Sequence, residues 1–473
     1  SRFVFGYCYN EKDMKKTMTM RLLAALAAVA ALALPARADA PTVRGTSVTL
    51  KGPATAEEIA AADQELRKNG KPARITVSAS KIDDATFAAL AKAWAEATSL
   101  TLSDSTLSTL APLADMKALT TLTLRKLASA NPIEAAPLAG LTAMQRMEIV
   151  EVKLGCADLT FLSAMTKLRN LELNGLPGGL QSLKGVETLP SLTDLSLKGM
   201  ALPDLAPLAA CAKVDRLHLS YSTVGDLTPV AAMPALKFLD AYASKLQQGF
   251  APLAASKTLN EIFYYAAELP NDDFSSLGEL KQVKNFRGGL TKMTSVEWVK
   301  EVPQIERLTM FAEKVGDLSP IASAAKLTFF RAWKMELGDL AYLSDKAALA
   351  TLELPDSNYG TTAPLATLPN LETADLSGAK QPLDLAFVKS CPKLRSLTLN
   401  KSAVANFEAL AGHPALQTLY LRDAKGLPAA LDFLGDCPKL TTIYASKDAL
   451  TDAQAQAIKD KADAASRKIS VNK

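Results

Sequence analysis

Six residues, LRNLEL at 168–173, carry the pattern that decides the fold of this chain. Similar stretches read LRSLTL at 394–399 and LQTLYL at 416–421. Each opens on an apolar residue, which we call position 1 of a repeat. Position 1 recurs sixteen times, in steps of 22 to 25 residues, at residues 97, 119, 144, 168, 192, 214, 236, 259, 283, 305, 327, 349, 371, 394, 416 and 440. A short period of this kind is the signature of a repeat architecture.

The pattern L-x-x-L-x-L predicts a short β-strand in every repeat. Positions 4 and 6 alternate with polar residues, so they face one side of the strand, and positions 3, 5 and 7 face the other side. A step of 22 residues leaves about a dozen residues for the return to the next strand, which is too short for a full helix with two loops. The returns are therefore predicted to be 3₁₀ or irregular.

A second signature marks the return segments. LPDLAPL at 202–208, VGDLTPV at 224–230 and VGDLSPI at 315–321 share an Asp twelve residues after position 1 and a Pro three residues later. Asp accepts hydrogen bonds from nearby backbone amides, and Pro presets the turn. Together the two signatures resemble bacterial leucine-rich repeats of the internalin type, over nearly all of the chain after residue 40. The resemblance implies an α/β solenoid, a horseshoe with a parallel β-sheet on its concave face, 3₁₀ or irregular convex returns, and helical caps at both ends.

Position 9 departs from that resemblance. Leucine-rich repeats usually carry Asn there, whose side chain bonds to the backbone, but none of the sixteen repeats does. Ser105, Ser222 and Ser244 have a hydroxyl that can replace some of these bonds, whereas Leu127 and Val152 cannot. We therefore expect the turn after the strand to satisfy its backbone groups differently.

The two ends of the chain predict helical caps. TAEEIAAADQELRKNG at 55–70 begins with a capping box and lies between candidate strands 46–50 and 74–78, and DDATFAALAKAWAEA at 83–97 predicts a second helix. TDAQAQAIKDKADAA at 451–465 predicts a third helix, with a last strand near 468–471. We expect one continuous domain, with an N-terminal cap and first repeats at 41–96, the repeat array at 97–448 and a C-terminal cap at 449–473.

The first 40 residues predict an export signal. MKKTMTMR at 14–21 is basic, LLAALAAVAALAL at 22–34 is apolar, and PARADA offers cleavage after residue 38 or 40. Residues 14–40 are therefore interpreted as a signal peptide, and 1–13 as upstream or mis-called sequence. A membrane anchor is the alternative for this segment. We expect the remaining chain to be exported, periplasmic or secreted, without a membrane span and monomeric.

Composition argues against two broad classes of protein. Hydrophobic residues make up 48% of the chain, which is enough for a core and excludes general disorder. The net charge of +4 arises in the first 38 residues, and the rest of the chain carries equal numbers of basic and acidic side chains. Nucleic-acid binding therefore has little electrostatic support.

The sequence offers no constellation for catalysis, for a cofactor or for a metal. His218 and Asp240 share position 5 of neighbouring strands, which predicts a surface hydrogen bond, because no Ser or Cys nucleophile is evident in register. Asp240 and Glu261 are paired carboxylates of a kind found in glycosidases, but such surface pairs are common. Cys391 and Cys437 lie two repeats apart, beyond disulfide reach, so they are interpreted as buried apolar residues. The chain is therefore expected not to be an enzyme.

Aromatic residues cluster on the outward positions of five repeats, those that begin at 236, 259, 283, 305 and 327. Seven of their fifteen outward positions are aromatic, against two, Tyr420 and Tyr444, in all the other repeats. Aromatic residues with Arg are typical of binding hot spots. The predicted partner-binding patch consists of Phe238, Asp240, Tyr242, Glu261, Phe263, Tyr265, Arg287, Arg307, Phe311, Phe329, Arg331 and Trp333.

LTFFRAWKM at 327–335 shows both the case for this patch and the alternatives. It aligns with LTDLSLKGM at 192–200, but aromatic and basic residues have replaced the outward polar ones. Position 6 reads Ala241, Tyr264, Gly288, Met310 and Ala332 in these five repeats. The strands could therefore have slipped register, or large outward residues could compensate for small inward ones. A third alternative is self-association through the patch, and a fourth is a simple ion pair between Arg331 and Glu353.

The leading hypothesis is an exported recognition protein that binds a protein or peptide partner, with a glycan as the less favoured ligand, on its aromatic and Arg-rich concave patch. The second hypothesis is a structural or adhesive solenoid without a localised site. A glycan-binding or glycan-acting protein is the third.

Overall fold

The computed structural model describes residues 40–68, 70, 72–178, 180–202 and 204–473. The predicted signal peptide at 14–40 therefore lies, except for its last residue, outside the described residues. Twenty strands of the described chain form one sheet, in which each strand pairs with the next along the sequence. The strands are Thr42–Arg44, Ser47–Leu50, Thr76–Ser80, Ser99–Ser103, Thr121–Arg125, Arg146–Val150, Asn170–Asn174, Asp194–Lys198, Arg216–His218, Phe238–Asp240, Glu261–Phe263, Asn285–Arg287, Arg307–Phe311, Phe329–Trp333, Thr351–Glu353, Thr373–Asp375, Ser396–Thr398, Thr418–Leu421, Thr442–Ala445 and Ser470–Asn472.

The pairing is parallel, apart from the first two strands, and keeps position 4 of every repeat in line. Leu171 lies opposite Leu195, which lies opposite Leu217, and all three side chains are buried. The predicted strand period is therefore confirmed. Stacking of position 4 on position 4 and position 6 on position 6 buries one apolar core along the array, which no single repeat could bury alone.

The returns between strands are short, as predicted. Most contain one 3₁₀ turn, and seven of the fifteen 3₁₀ segments in the described residues have Pro in their first two positions. Thr228–Ala231 forms a single α-helical turn, also with Pro at its start. Asp204, Asp226 and Asp317 each accept a hydrogen bond from the backbone amide two residues ahead, at 2.8 Å, which confirms the role predicted for Asp. The 3₁₀ segments are Ala111–Asp115, Ala136–Gly140, Thr160–Leu162, Val186–Thr188, Ala206–Ala210, Ala251–Ala255, Pro270–Asp272, Ser275–Glu279, Glu297–Glu301, Ser319–Ser323, Leu340–Leu343, Ala363–Thr367, Leu385–Ser390, Phe407–Leu410 and Asp432–Asp436.

Longer α-helices occur at the two ends, at Ala56–Arg67, Asp84–Ala93 and Asp452–Ala464. Thr55 and Thr451 cap the first and last of these through complete capping boxes, as the sequence predicts. The helices and the antiparallel first strand cover apolar surface that would otherwise be exposed where the stack of repeats ends.

The turn after each strand depends on positions 8 and 9. In fifteen of the sixteen repeats the residue at position 8 has a positive φ, which lets the chain reverse. At position 9 several repeats bury a Ser whose hydroxyl donates to a carbonyl of the preceding repeat. Ser222 donates to Leu197 at 2.9 Å and Ser244 donates to Leu219 at 2.7 Å. The expectation that a hydroxyl can replace some of the bonds of the usual Asn is thus confirmed at these repeats.

Shorter parallel ladders run along the flank where the turns line up. They comprise Ala201–Leu202 with Thr223–Val224 and Lys245–Leu246, Ile133–Glu134 with Leu154–Gly155, Glu336–Gly338 with Asn358–Tyr359, and Leu383–Asp384 with Val404–Ala405. Each of these ladders ties together the turns that it joins, on the flank of the main sheet.

Candidate functional site

The five aromatic repeats keep the register of the rest of the array. Phe238, Glu261, Asn285, Arg307 and Phe329 lie side by side as position 3 of consecutive strands. Their inward neighbours at position 4 are all buried. The alternative that these strands slip register and turn their aromatic residues inward is therefore wrong.

The aromatic residues at position 7, together with Tyr221 at position 8 of the preceding repeat, form a row of rings, which we call the aromatic ladder. Tyr242 and Tyr265 are stacked with centroids 5.5 Å apart, and Tyr265 stacks on Phe311 at the same distance. Phe311 then meets Trp333 at 4.5 Å. At the other end Tyr221 lies edge-on to Tyr242, at 5.1 Å. The aromatic ladder thus consists of Tyr221, Tyr242, Tyr265, Phe311 and Trp333 and crosses six repeats.

The lack of a side chain at Gly289 allows the aromatic ladder to continue without a gap. This glycine occupies position 7 between Tyr265 and Phe311, and a Cβ at this residue would lie 2.6 Å from the Phe311 Cβ and 2.8 Å from the Tyr265 Cε2. No real Cβ tolerates such distances, so any larger residue would push the two rings apart. A side chain missing from one strand therefore allows rings from two non-adjacent strands to stack.

Cationic side chains lie over the rings of this face. The Arg307 guanidinium is centred 3.9 Å from the Phe329 ring, and Arg287 lies 5.0 Å from the Phe263 ring. Arg331 lies 5.5 Å from Trp333. Contacts of this kind are cation–π interactions and hold a flexible Arg against the sheet.

Two of these Arg residues also form ion pairs with the neighbouring strand. Arg287 Nη1 lies 3.0 Å from Glu261 Oε1, and Arg331 Nε lies 3.4 Å from Glu353 Oε2. The predicted pair between Arg331 and Glu353 is therefore present. Both pairs are partly exposed, and such pairs add little to stability.

Phe238 and Asp240 differ from the prediction, which took both as exposed. Arg216 and His218 cover the Phe238 ring, and the buried Asp240 carboxylate is hydrogen-bonded to His218, to Ser220 and to the Tyr242 amide. Asp240 Oδ2 lies 3.1 Å from His218 Nδ1 and accepts from Ser220 at 2.7 Å. Burial raises the pKa of Asp240, but the hydrogen bonds from His218, from the Tyr242 amide and from Ser220 outweigh burial and lower the pKa below its usual value.

The predicted bond between His218 and Asp240 is therefore present, and Ser220 joins it. The Ser220 hydroxyl donates to Asp240 and makes no hydrogen bond to His218, whose other nitrogen lies 3.7 Å from Asp194. A catalytic triad needs the His to take the proton of the Ser. The three residues do not have that arrangement, and their bonds hold the end of the aromatic face in place.

On the inward side, large and small residues compensate one another. The Tyr264 side chain is fully buried and fills the space that Gly288 leaves in the next repeat, where a Cβ would lie 2.1 Å from the Tyr264 Cε2. Met310 and Ala332 are also fully or almost fully buried. The irregular position 6 is thus resolved within the core, and the outward rings are not needed to fill it.

Sequence reasoning missed Tyr221 and Leu290. Both occupy position 8, where the backbone has a positive φ, and both are large apolar residues with more than half of their surface exposed, 63% and 51%. Neither the strained backbone nor the exposure suits a large apolar side chain. Most other repeats carry Gly, Ala, Asp or Lys at this position, so a comparison of position 8 along the array could have found them.

Other chemistry is sparse among the described residues. Cys211, Cys391 and Cys437 are buried free thiols, and burial raises the pKa of Cys391 to about 11. No group of His, Cys, Asp and Glu side chains in the described part of the chain has the geometry to hold a metal ion. Within the same residues, every helix is too short or too polar to cross a membrane.

Comparison with known proteins identifies the fold. Neither a protein-family model nor a curated protein matches the chain. A chain of the Drosophila Toll–Spatzle complex superposes with a TM-score of 0.61 at 15% identity, over 86% of this chain and 62% of that one. An internalin of Listeria monocytogenes gives a TM-score of 0.41 at 18% identity, over 79% of this chain and 89% of that one. A leucine-rich repeat protein of Leptospira interrogans gives a TM-score of 0.48 at 13% identity, over 87% and 91%.

The likeness to the Drosophila structure, the parallel sheet and the 3₁₀ returns agree with the resemblance that the repeats carry in the sequence. This chain has the fold of a leucine-rich repeat protein, a solenoid with a parallel sheet on its concave face and helical caps at both ends.

Proposed function

We propose that this chain is an exported, non-catalytic recognition protein that binds a protein or peptide partner on the outward face of the strands between Arg216 and Glu353. The observation that carries the proposal is the continuous aromatic ladder, which spans six repeats on top of a core that is already complete.

Three features of this face support a binding role. Its rings are held in fixed positions by stacking and by Arg residues, so little conformational entropy remains to be lost when a partner binds. Aromatic and Arg side chains are the residues that dominate interface energies. Tyr221 and Leu290 extend the apolar surface at a conformational cost that the fold itself does not need.

The fold is compatible with this role. The Drosophila structure with the same fold is that of a complex between Toll and Spatzle. That finding concerns Toll, and it supports the present proposal only in that a leucine-rich repeat solenoid can carry a protein partner. The proposal of export rests on the basic and apolar segments at 14–34 of the sequence.

The proposal is tested with three substitutions made together, Phe329→Ser, Arg331→Thr and Trp333→Lys. The replacements are residue types that outward positions of other repeats carry, so the strand should keep its inward face and fold. A matched control replaces Tyr420 and Tyr444, a stacked pair with centroids 4.9 Å apart outside the five repeats, by Thr. Circular dichroism and thermal unfolding establish that both variants are folded.

The readout is binding to peptides selected from a displayed random library on the unsubstituted protein. We expect the triple variant to lose at least about tenfold in affinity, because two aromatic anchors are removed, and the Tyr420 and Tyr444 control to bind normally. A folded triple variant that retains every selected peptide contradicts the proposal. So does a protein that selects no peptide but binds oligosaccharides on a glycan array.

A further inference from the structure

Around the aromatic face the carboxylates already have bonding partners, whereas one of the Arg side chains does not. Four carboxylates border this face, and each is already bonded to a side chain of another repeat. Asp240 bonds to His218, Glu261 to Arg287 and Glu353 to Arg331. Asp356 accepts from the Trp333 indole nitrogen at 3.2 Å. These are the carboxylates Asp240, Glu261, Glu353 and Asp356.

Arg307, at the centre of the face, has no such partner. No carboxylate of the described residues lies within ion-pair distance of its guanidinium, and the side chain is exposed. Its neighbours in the sheet at position 3 are Asn285 and Phe329, neither of them charged. The carboxamide of Asn285 makes no hydrogen bond to the described residues either, and its Oδ1 is buried. An unpaired cation and an unpaired amide thus lie on adjacent strands.

Arg307 is nevertheless held in place. Its guanidinium stacks on the Phe329 ring at 3.9 Å, the shortest cation-to-ring distance of this face. The ring covers part of the guanidinium, and none of its N–H groups donates a hydrogen bond to another described residue. A guanidinium with a free edge binds a carboxylate through two parallel hydrogen bonds.

The rings themselves favour a negatively charged partner. Tyr242, Tyr265 and Phe311 are stacked within 12° of parallel, so their faces cover one another, and all three side chains remain partly exposed. The edge of an aromatic ring carries partial positive charge. Lys334, which lies 5.1 Å from the Trp333 ring and also lacks a carboxylate partner among the described residues, adds positive charge at one end.

We propose that the partner presents an acidic peptide segment, whose carboxylate pairs with Arg307 and whose adjacent apolar side chains contact Phe329 and the aromatic ladder. The carboxylate is an Asp or Glu side chain or the end of a peptide chain. This inference rests on the proposed function and specifies the chemistry of its partner. Arg287 and Arg331, which are neutralised by Glu261 and Glu353, contribute shape rather than net charge.

The test uses the full chain and peptides selected on it from a displayed random library. We expect the selected peptides to be enriched in Asp and Glu over the input library. Synthetic copies in which each Asp or Glu is changed in turn to Asn or Gln should include one that binds about tenfold more weakly. Copies with an amidated end distinguish a terminal carboxylate from a side chain.

The variant Arg307→Gln then shows whether Arg307 is the receptor of that carboxylate. In this variant the decisive Asp or Glu should no longer matter, so its change to Asn or Gln alters affinity by less than about twofold, as a double-mutant cycle requires. The matched control is Arg422→Gln. Arg422 also lies over a ring, 5.9 Å from Tyr444, and has no carboxylate partner in the described chain, but it lies outside the five repeats. It should leave binding unchanged.

Two results would overturn the inference and leave the proposed function standing. One is a set of selected peptides that need Phe329 and Trp333 but show no preference for acidic residues. The other is an acidic residue in the peptide whose effect is the same with Arg307 and with Gln at this position. Binding of uronic or sialic acid oligosaccharides in place of any peptide would refute both proposals.

Discussion

The repeats that begin at 349, 371 and 394 and those that begin at 236 to 327 build the same strand from different residues. In the former, position 6 is Leu354, Leu376 and Leu399, all fully buried, and the outward residues are small, polar or Pro. In the latter, position 6 ranges from Gly288 to Tyr264, and rings and Arg cover the outward face. Both groups hold the same register.

This difference separates two roles of the strand. The inward positions must fill one continuous core, so a Gly in one repeat requires a Tyr in the repeat before it. The outward positions carry no such constraint, because the same backbone supports Thr, Glu and Asp in one group and Trp, Phe and Arg in the other. The aromatic face is therefore a property added to the fold rather than a consequence of it.

Gly288→Ala tests the inward side of this comparison and should have the largest effect on the free energy of unfolding. The new Cβ would lie 2.1 Å from the buried Tyr264 ring, which has no free space to move into. Overpacking of this kind destabilises by about 1–3 kcal/mol, and we expect the upper end of that range. Urea unfolding followed by circular dichroism measures the loss.

The control for this substitution is Gly316→Ala, on the flank of the same repeats. A Cβ there meets nothing within 4 Å, so stability should change by less than about 0.5 kcal/mol. If neither substitution lowers the free energy of unfolding, the core around Tyr264 has room for a methyl group. The inference that Gly288 compensates for the size of Tyr264 would then be wrong.

Glu313→Gln tests the turn beneath the aromatic face. Glu313 occupies position 9, where regular repeats bury Ser, and its carboxylate accepts from the Thr291 hydroxyl at 2.8 Å. Burial raises the pKa of Glu313 to about 7, although the bonds from Thr291 oppose the rise. Tyr264, which is buried, and Tyr265, which is partly exposed, lie near Glu313. Burial and the Glu313 charge both raise the pKa values of these two Tyr residues.

The sign of the pH effect follows from that raised pKa. The folded state holds the proton of Glu313 more tightly than the unfolded state, so this residue favours folding at low pH and the benefit is lost as pH rises through about 7. The Gln variant should therefore be the more stable protein near pH 8, by on the order of 2–3 kcal/mol, with a gap that closes towards pH 5. Thermal unfolding at both pH values measures the gap.

Glu306→Gln is the matched control for Glu313. Glu306 is partly exposed and pairs with Lys284 at 2.7 Å on the surface of the same repeats. Its replacement should change stability by less than about 1 kcal/mol at either pH. If the difference in stability between wild type and Glu313→Gln does not vary between pH 5 and pH 8, Glu313 is ionised in the folded protein over that whole range.

Ser357→Ala tests the regular side of the comparison and should have the smallest effect of the three. The buried Ser357 hydroxyl donates to the Ala332 carbonyl at 3.0 Å and accepts from the Met335 amide at 3.2 Å. Its removal leaves two backbone groups without these bonds, which should destabilise by about 1–2 kcal/mol. Chemical unfolding against Ser396→Ala, whose outward hydroxyl makes no bond within the described chain, isolates this contribution. Equal losses in the two variants would mean that Ser357 does not replace the Asn of other leucine-rich repeats.

Most of the fold followed from the sequence because its information is local and repeated. The alternation of positions 4 and 6 predicts one buried face in each strand, and stacking of equal repeats extends it along the array. The caps followed from Thr55 and Thr451, each with its partner three residues later. The left-handed backbone at position 8 was missed, because the residues there are chemically mixed and only Gly and Asp suggest it.

The candidate site was predicted less completely. Position in the repeat correctly assigned the direction of Tyr242, Tyr265, Phe311 and Trp333, which the structure brings into one row. It gave Asp240 the wrong environment, because that carboxylate lies beneath bonds from other strands. Such bonds depend on side-chain rotamers and on neighbours 20 or 22 residues away, and no pattern within a single repeat encodes them.

The sequence by itself determined that this chain is a leucine-rich repeat solenoid and which residues of each strand face outward, since both depend on backbone periodicity. Tertiary structure alone decided that Gly289 lets Tyr265 and Phe311 stack, that Tyr221 packs edge-on to Tyr242, and that Arg307 has no carboxylate partner among the described residues. The reason is that the repeat period sets the direction in which a side chain points, whereas its partners depend on which side chains of adjacent repeats lie within contact distance.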